Sequence, residues 1–257
     1  MLILIAESKT MLADQRGITA ESMALHTPQG EKQADCIMQR LADLPQSELI
    51  AETGFSSTLA AKLREMLYEF PNKALGLSAI EAFTGVVFKA LSYTMLSSEA
   101  QQLCDRNVRI ISSLYGLLRP DDIIKPYRLD FTTQVAPGGK ALNSFWKKDV
   151  TIQLVKTIQE CGYCELLNLL PADAAKCVDW KVAKRFCKVW KVDFVEFAEG
   201  DKLKTPAANK LKTMRGKLLR QILCENISSV NQLKTIKSDD FICQGTPVYP
   251  DHLQFIC

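Results

Sequence analysis

Two arginines, two tyrosines and two prolines fall between positions 115 and 130, in Tyr115-Gly116-Leu117-Leu118-Arg119-Pro120 and Pro126-Tyr127-Arg128-Leu129-Asp130. An arginine presents a planar fork of N–H donors that matches a phosphate or a carboxylate. Prolines stiffen the loops that carry such forks, so the donors are held before a partner arrives. The same arginines could instead pair with Asp121, Asp122 or Asp130 and tie down a long loop. A further cation, Lys9, lies in Glu7-Ser8-Lys9-Thr10, directly after an apolar opening run. Lys9, Thr10, Tyr115, Arg119, Tyr127, Arg128 and Asp130 make up a candidate anion- or phosphate-binding set. If the strands before these loops are parallel, Lys9, Arg119 and Arg128 come to one sheet edge, where α/β proteins place ligands.

A second chemical signal is basic. Thirteen Lys or Arg stand against five Asp or Glu between positions 176 and 220, a local charge of +8 in a chain whose net charge is +3. Lys210, Lys212, Arg215, Lys217 and Arg220 would line one helix there. Such a segment is either a face for duplex DNA or another polyanion, or an ordinary solvated surface. Trp180 and Trp190 lie among the lysines and are read as packing residues. A third signal, Cys161-Gly162-Tyr163-Cys164, has redox or metal spacing. It falls after a helix and before a strand, the reverse of a thioredoxin-like context, so turn cysteines are the better reading. With two histidines and no second Cys-x-x-Cys, no metal site and no cofactor are expected.

The elements that must position these residues follow from hydrophobic periodicity. Buried strands are predicted at 1–6, 108–114 and 166–170, with one or two more within 182–197 and a β-like tail over 241–257. Helices are predicted at 31–43, 79–91, 142–158 and 207–226, Gly85 falling inside the second of these. Between Pro45 and Tyr68 two short helices flank the turn Thr53-Gly54-Phe55-Ser56, with Ser57 as the cap of the second. The pattern gives a mixed α/β or α+β fold: one compact domain over 1–257, a central mixed sheet and a possible helix-hairpin-helix element at 46–68.

Composition narrows the class. Hydrophobic residues make up 47% of the chain and charged residues 24%, which suits a globular protein with a substantial core. Nine cysteines without framework spacing point to a reducing, cytoplasmic setting. The opening apolar run stops at Glu7, too short for a signal segment or a membrane span, and no membrane partner is expected.

The stretch 114–130 resembles the signature of the YaaA family of bacterial peroxide-stress proteins, Tyr-Gly-x-Leu-Arg-Pro followed by Pro-Tyr-Arg-Leu-Glu. Lys9 and Thr10 are similar to the end of its Ser-x-Ala-Lys-Thr. Ala82-Phe83-Thr84-Gly85-Val86-Val87-Phe88, Phe145-Trp146, Asn168-Leu169 and Arg215-Gly216 with Arg220 follow in the family's order. The chain departs from the pattern in three places. Ala6-Glu7-Ser8 puts a carboxylate beside the lysine, Asp130 replaces a glutamate, and Leu170-Pro171-Ala172-Asp173 lacks a serine and offers only Asp173 for a glutamate.

The resemblance implies a cytoplasmic protein that limits peroxide damage, in a family tied to lower free iron and to sequence-independent binding of double-stranded DNA through a helix-hairpin-helix. Gly54 and Ser56, in the turn of 46–68, would then aim backbone N–H groups at a phosphate. An alternative is an enzyme acting on a small phosphorylated or nucleotide-like molecule at Lys9, Arg119 and Arg128, with Asp130 or Lys9 as the acid–base group. A third is a thiol-redox protein using Cys161 and Cys164.

Overall fold

The computed structural model describes residues 1–12, 26–72, 76–244 and 249–257. Strand β1 (Leu2–Ala6) is buried along its whole length, as a strand covered on both faces must be. Helix α1 (Glu31–Asp43) turns Ala34, Ile37, Met38 and Leu41 to the core. Helix α2 (Gln46–Thr53) ends where Gly54 takes a left-handed conformation, φ 68°. Helix α3 (Ser57–Glu69) then begins, and its cap is Ser56 rather than Ser57. Ser56 is still extended, so its hydroxyl can reach back to accept from the Leu59 N–H at 3.3 Å.

The single helix expected over 79–91 is two. After the short strand β2 (Leu77–Ser78), α4 (Ala79–Ala82) stops and α5 (Val86–Leu91) starts afresh beyond Gly85. Gly85 is extended there and packs closely on the loop after β1, since a Cβ on it would lie 2.5 Å from the Cβ of Ser8. The Gly85 N–H instead donates to the Ser8 hydroxyl at 2.9 Å, which ties this break to the loop after β1.

Helix α6 (Ser98–Asn107), capped by Ser97, precedes β3 (Val108–Ser112), β4 (Gly116–Leu118) and β5 (Ile123–Ile124). The long helix α7 (Leu142–Cys161) leads into β6 (Glu165–Asn168) and the short α8 (Ala172–Ala175). The stretch 182–197 is not strand throughout. One turn of helix, α9 (Trp180–Ala183), comes first, capped by the Asp179 carboxylate, and β7 (Lys188–Phe197) follows. Then come β8 (Leu203–Lys204), α10 (Ala208–Cys224), α11 (Val230–Leu233), β9 (Ile242–Gln244) and β10 (His252–Ile256). The β-like tail is thus two strands, with 245–248 outside the described residues.

The main sheet runs β4-β3-β1-β6-β7-β10-β9, with β8 paired to β7. The pairs β3–β1, β1–β6, β6–β7 and β7–β10 are parallel, and β4, β8 and β9 are antiparallel additions. The fold is therefore mixed α/β around a mixed sheet. Helix α10 packs against α5 at Gly216, whose Cβ, if present, would lie 2.3 Å from the Val87 carbonyl oxygen. Only glycine permits that approach. Among the described residues no helix is long and apolar enough to cross a membrane.

Candidate functional site

Parallel pairing of β1 with β3 places the loops 7–10 and 113–115 side by side at the carboxyl ends of the two strands. The Glu7 N–H extends the ladder by donating to the Ile111 carbonyl at 2.9 Å. Its carboxylate, which the sequence sets beside Lys9, turns inward instead. It accepts from the Ser113 N–H at 2.8 Å and from the Tyr127 hydroxyl. Ser112 Oγ lies 2.7 Å from Tyr127 Oη and already accepts from the N–H groups of Leu114 and Tyr115. The Ser112 proton is therefore directed to Tyr127, and the Tyr127 proton to Glu7, giving a buried chain Ser112–Tyr127–Glu7. Burial pushes the Glu7 carboxyl up from 4.5 to about 7, against the hydrogen bonds from Ser113 and Tyr127 that favour its charge.

Above this chain lies a cluster of charges. Asp130 Oδ1 is 2.6 Å from Arg128 Nη1 and 3.0 Å from Lys9 Nζ. Burial works against the Asp130 charge, but the bonds from Arg128 and Lys9 outweigh it and hold the carboxyl below its usual value. The loop is fixed by α7, because the Asn143 and Leu142 N–H groups donate to the carbonyls of Phe131 and Thr133. Those helix-terminal donors would otherwise lack partners. With two cations and one carboxylate, the cluster keeps a positive charge, and the Lys9 side chain is largely exposed.

The cluster touches the α2–α3 hairpin. Arg128 stacks over the ring of Phe55, 5.5 Å from its centre, and Phe55 is buried in the turn between α2 and α3, as is Thr53 at the end of α2. Gly54 and Ser56 on either side of it are exposed, and a Cβ on Gly54 would meet nothing within 4 Å. The turn backbone is thus open to a partner beside Arg128 and Lys9.

Arg119 is elsewhere. The hairpin from β3 to β4 reverses the chain, and the register Ile110↔Leu118 returns Arg119 to the amino-terminal end of β3. There its Nε lies 3.3 Å from Asp121, which also meets His26 at 2.9 Å. The expected gathering of Lys9, Arg119 and Arg128 at one edge is therefore corrected to Lys9 and Arg128 alone. It failed because a three-residue strand behind β3 is too short to show its own periodicity. Tyr115 and Tyr127 are both buried, and the Tyr115 hydroxyl accepts from the Lys125 N–H at 3.2 Å. Thr10 sits at the surface next to Ser8 and accepts through its carbonyl from the Thr84 N–H at 2.9 Å. Asp173 is exposed on α8, 3.5 Å from Lys176, and stands apart from this cluster.

The basic helix α10 is largely committed to its own neighbours. Lys210 meets Glu196 at 2.8 Å, Lys217 pairs with Asp240, and Arg220 donates to the Leu91 and Ser92 carbonyls that end α5. Arg215 is partly buried, while Lys212 is exposed. Trp190 is buried with its N–H on Glu165, and Trp180 donates to the Ala175 carbonyl, so both pack as read. Cys161 and Cys164 are free, exposed thiols at the end of α7. Among the described residues no three His, Cys, Asp or Glu side chains gather closely enough to hold a metal.

Of the candidate set read from the sequence, Lys9, Arg128 and Asp130 come together, whereas the contacts that Glu7, Ser112 and Phe55 make beside them were not foreseen. A carboxylate directly after a fully apolar strand was the available signal for Glu7.

Comparison with known proteins agrees with the earlier resemblance. A family profile described as peroxide stress protein YaaA matches residues 1–245. A UPF0246 protein of Parabacteroides distasonis is 30% identical over 243 residues, 94% of this chain and 93% of the relative. One from Desulforapulum autotrophicum is 29% identical over 250 residues, 95% of each chain. A Ralstonia nicotianae relative is 42% identical over a shorter 107 residues, 41% of this chain and 42% of its own.

Proposed function

This chain belongs to the YaaA family of peroxide stress proteins, and on that footing we propose that it limits oxidative damage to DNA by binding the duplex backbone without regard to sequence. The observation that carries the reading is the stacking of Arg128 on Phe55, with Lys9 bridged to Arg128 through Asp130. Two cations and the exposed turn at Gly54 and Ser56 then form one anion-facing surface. Cations and helix-turn N–H groups contact phosphates and carry no base information. This reading favours the hairpin and the carboxyl edge of the sheet over α10, because Lys9 and Arg128 share one carboxylate while Lys210 and Lys217 pair with separate ones.

Binding of this kind displaces the cations condensed around DNA. Ferrous ion is among the cations such phosphates attract, and it converts peroxide to hydroxyl radical. Occupying the backbone lowers the iron held at the duplex, which is a route to protection without iron bound by the protein itself. The test is fluorescence anisotropy with a random-sequence duplex across a salt series. Lys9→Ala and Arg128→Ala should each weaken binding and reduce the slope of log K against log salt by about one. Lys212→Ala should change it little. Unchanged binding in both site variants would remove DNA from this face.

A second reading is favoured by one observation, the buried Glu7 carboxyl with its pKa near 7, the range suited to acid–base work. In that reading the same cluster holds the phosphate of a small phosphorylated or nucleotide-like substrate. Thermal stabilisation by phosphate or a nucleotide, lost in Arg128→Lys, would support it over duplex binding.

A further inference from the structure

At the other end of the sheet, where Arg119 lies, a cavity of about 300 Å³ opens between the β3–β4 hairpin and α7. Its walls include Arg109, Arg119, Gln153, Thr157 and Glu160. That volume falls at the small end of ligand sites.

The two arginines share their side of the cavity with Asp122, whose carboxylate accepts from the Arg119 backbone N–H at 2.8 Å and whose pKa burial pushes up to about 6, so two cations face one carboxylate there. Arg109 is buried, and its Nη1 donates to the carbonyls of Asp105, Arg106 and Val108 around the end of α6. Among the described residues no carboxylate lies within 4 Å of its guanidinium. Burial and the neighbouring charge of Arg119 both pull the Arg109 pKa below its ordinary value. Arg119 meets Asp121 only through Nε at 3.3 Å, and that contact lacks hydrogen-bond alignment, since Asp121 Oδ1 accepts no hydrogen bond. An oxyanion between the two forks would offset their repulsion and match their planar donors.

The opposite wall calls for a different group. Gln153, Thr157 and Glu160 recur at the spacing of one face of α7. The Gln153 side-chain oxygen is buried and has no hydrogen-bond partner among the described residues. A buried acceptor of this kind is met by an N–H or O–H donor. Glu160, at the rim, adds negative charge on the same side.

We propose that this cavity is a second ligand site, which takes a small molecule with an oxyanion at one end and an N–H or O–H donor at the other. A bare anion leaves Gln153 unmet, and a bare cation meets the two arginines. The site lies at the opposite end of the strands from Lys9 and Arg128, and it stands independently of the DNA reading.

The test is calorimetric titration of the full chain with O-phosphoethanolamine, β-alanine and inorganic phosphate. The first two carry both groups, on a phosphate and on a carboxylate, and so report which oxyanion is preferred. At least one should bind about tenfold tighter than inorganic phosphate, whose O–H groups sit on the oxyanion itself and leave the Gln153 end without a separate donor. Arg119→Lys should cost all binding about tenfold through loss of the fork. Gln153→Met, which keeps the volume, should erase the advantage of the bifunctional probes and leave phosphate unaffected. Glu160→Gln, at an exposed position, should weaken the ammonium probes selectively and serves if Gln153→Met does not fold. Arg128→Lys should leave every titration unchanged. The proposal is overturned if no probe binds, if phosphate binds as tightly as the bifunctional probes, or if binding follows Arg128 instead of Arg119.

Discussion

The Arg128 guanidinium lies 5.5 Å from the centre of the Phe55 ring, and this contact joins the α2–α3 hairpin to the carboxyl edge of the sheet. Phe55 is buried, so its ring both fills a core position and orients the cation above it. Phe55→Ala should lower stability by about 3 kcal/mol, read by chemical denaturation, as lost burial and a cavity add together. Phe55→Leu should restore most of that stability, yet leave Arg128 without its aromatic face. Duplex affinity that falls in Phe55→Leu at unchanged fold would assign the ring to positioning. Unaltered affinity would assign it to packing alone.

Glu7 makes stability depend on pH in a defined direction. Its folded pKa, about 7, lies above the unfolded value near 4.5, because the buried charge is disfavoured. The protonated form therefore favours folding below pH 4.5, and that contribution is lost as pH rises to about 7. The shift corresponds to about 3 kcal/mol. Glu7→Gln should remove this slope and gain on the native chain as pH rises from 4.5 to 8. Asp122, raised from 3.8 to about 6 by burial, loses stability in the same direction over a lower window. Comparing native and Glu7→Gln denaturation at each pH cancels that common part. Equal slopes in the two proteins would mean that Glu7 is charged in the fold at neutral pH.

Arg220 is expected to act on stability rather than on DNA. Its guanidinium donates to the Leu91 and Ser92 carbonyls at 2.8 and 3.1 Å and closes the end of α5 against α10. Arg220→Ala should cost about 2 kcal/mol, the scale of hydrogen bonds from a charged donor. The salt dependence of duplex binding should not change. A flattened salt slope at native stability would return α10 to the DNA face.

Cys161 and Cys164 should be bystanders. Both thiols are exposed and free, and Cys164 sits just beyond the left-handed Gly162 that ends α7. Replacing both with serine should leave peroxide survival at the native level in cells lacking their own copy of the gene. Loss of protection by the folded double variant would make thiol chemistry part of the function.

By itself the sequence determined the β1 and α1 elements, the two helices on either side of the turn at 53–56, the mixed α/β class and the family. These rest on local periodicity, turn residues and ordered motifs, all of which survive in one dimension. It also marked Lys9, Arg128 and Asp130 as candidates, since their types and the loops they stand in suit an anion. Only the tertiary structure decided that Arg119 belongs to the opposite edge. One antiparallel strand of three residues reverses the chain, and pairing partners of so short a strand leave no sequence pattern. Tertiary packing also turned Glu7 inward and set Ser8 against Gly85, 77 positions away in the chain, where the helix is interrupted. Which charges remain open to a partner was likewise settled in three dimensions. An ion pair such as Lys210 with Glu196 depends on the approach of α10 to β7, not on the number of lysines in the segment.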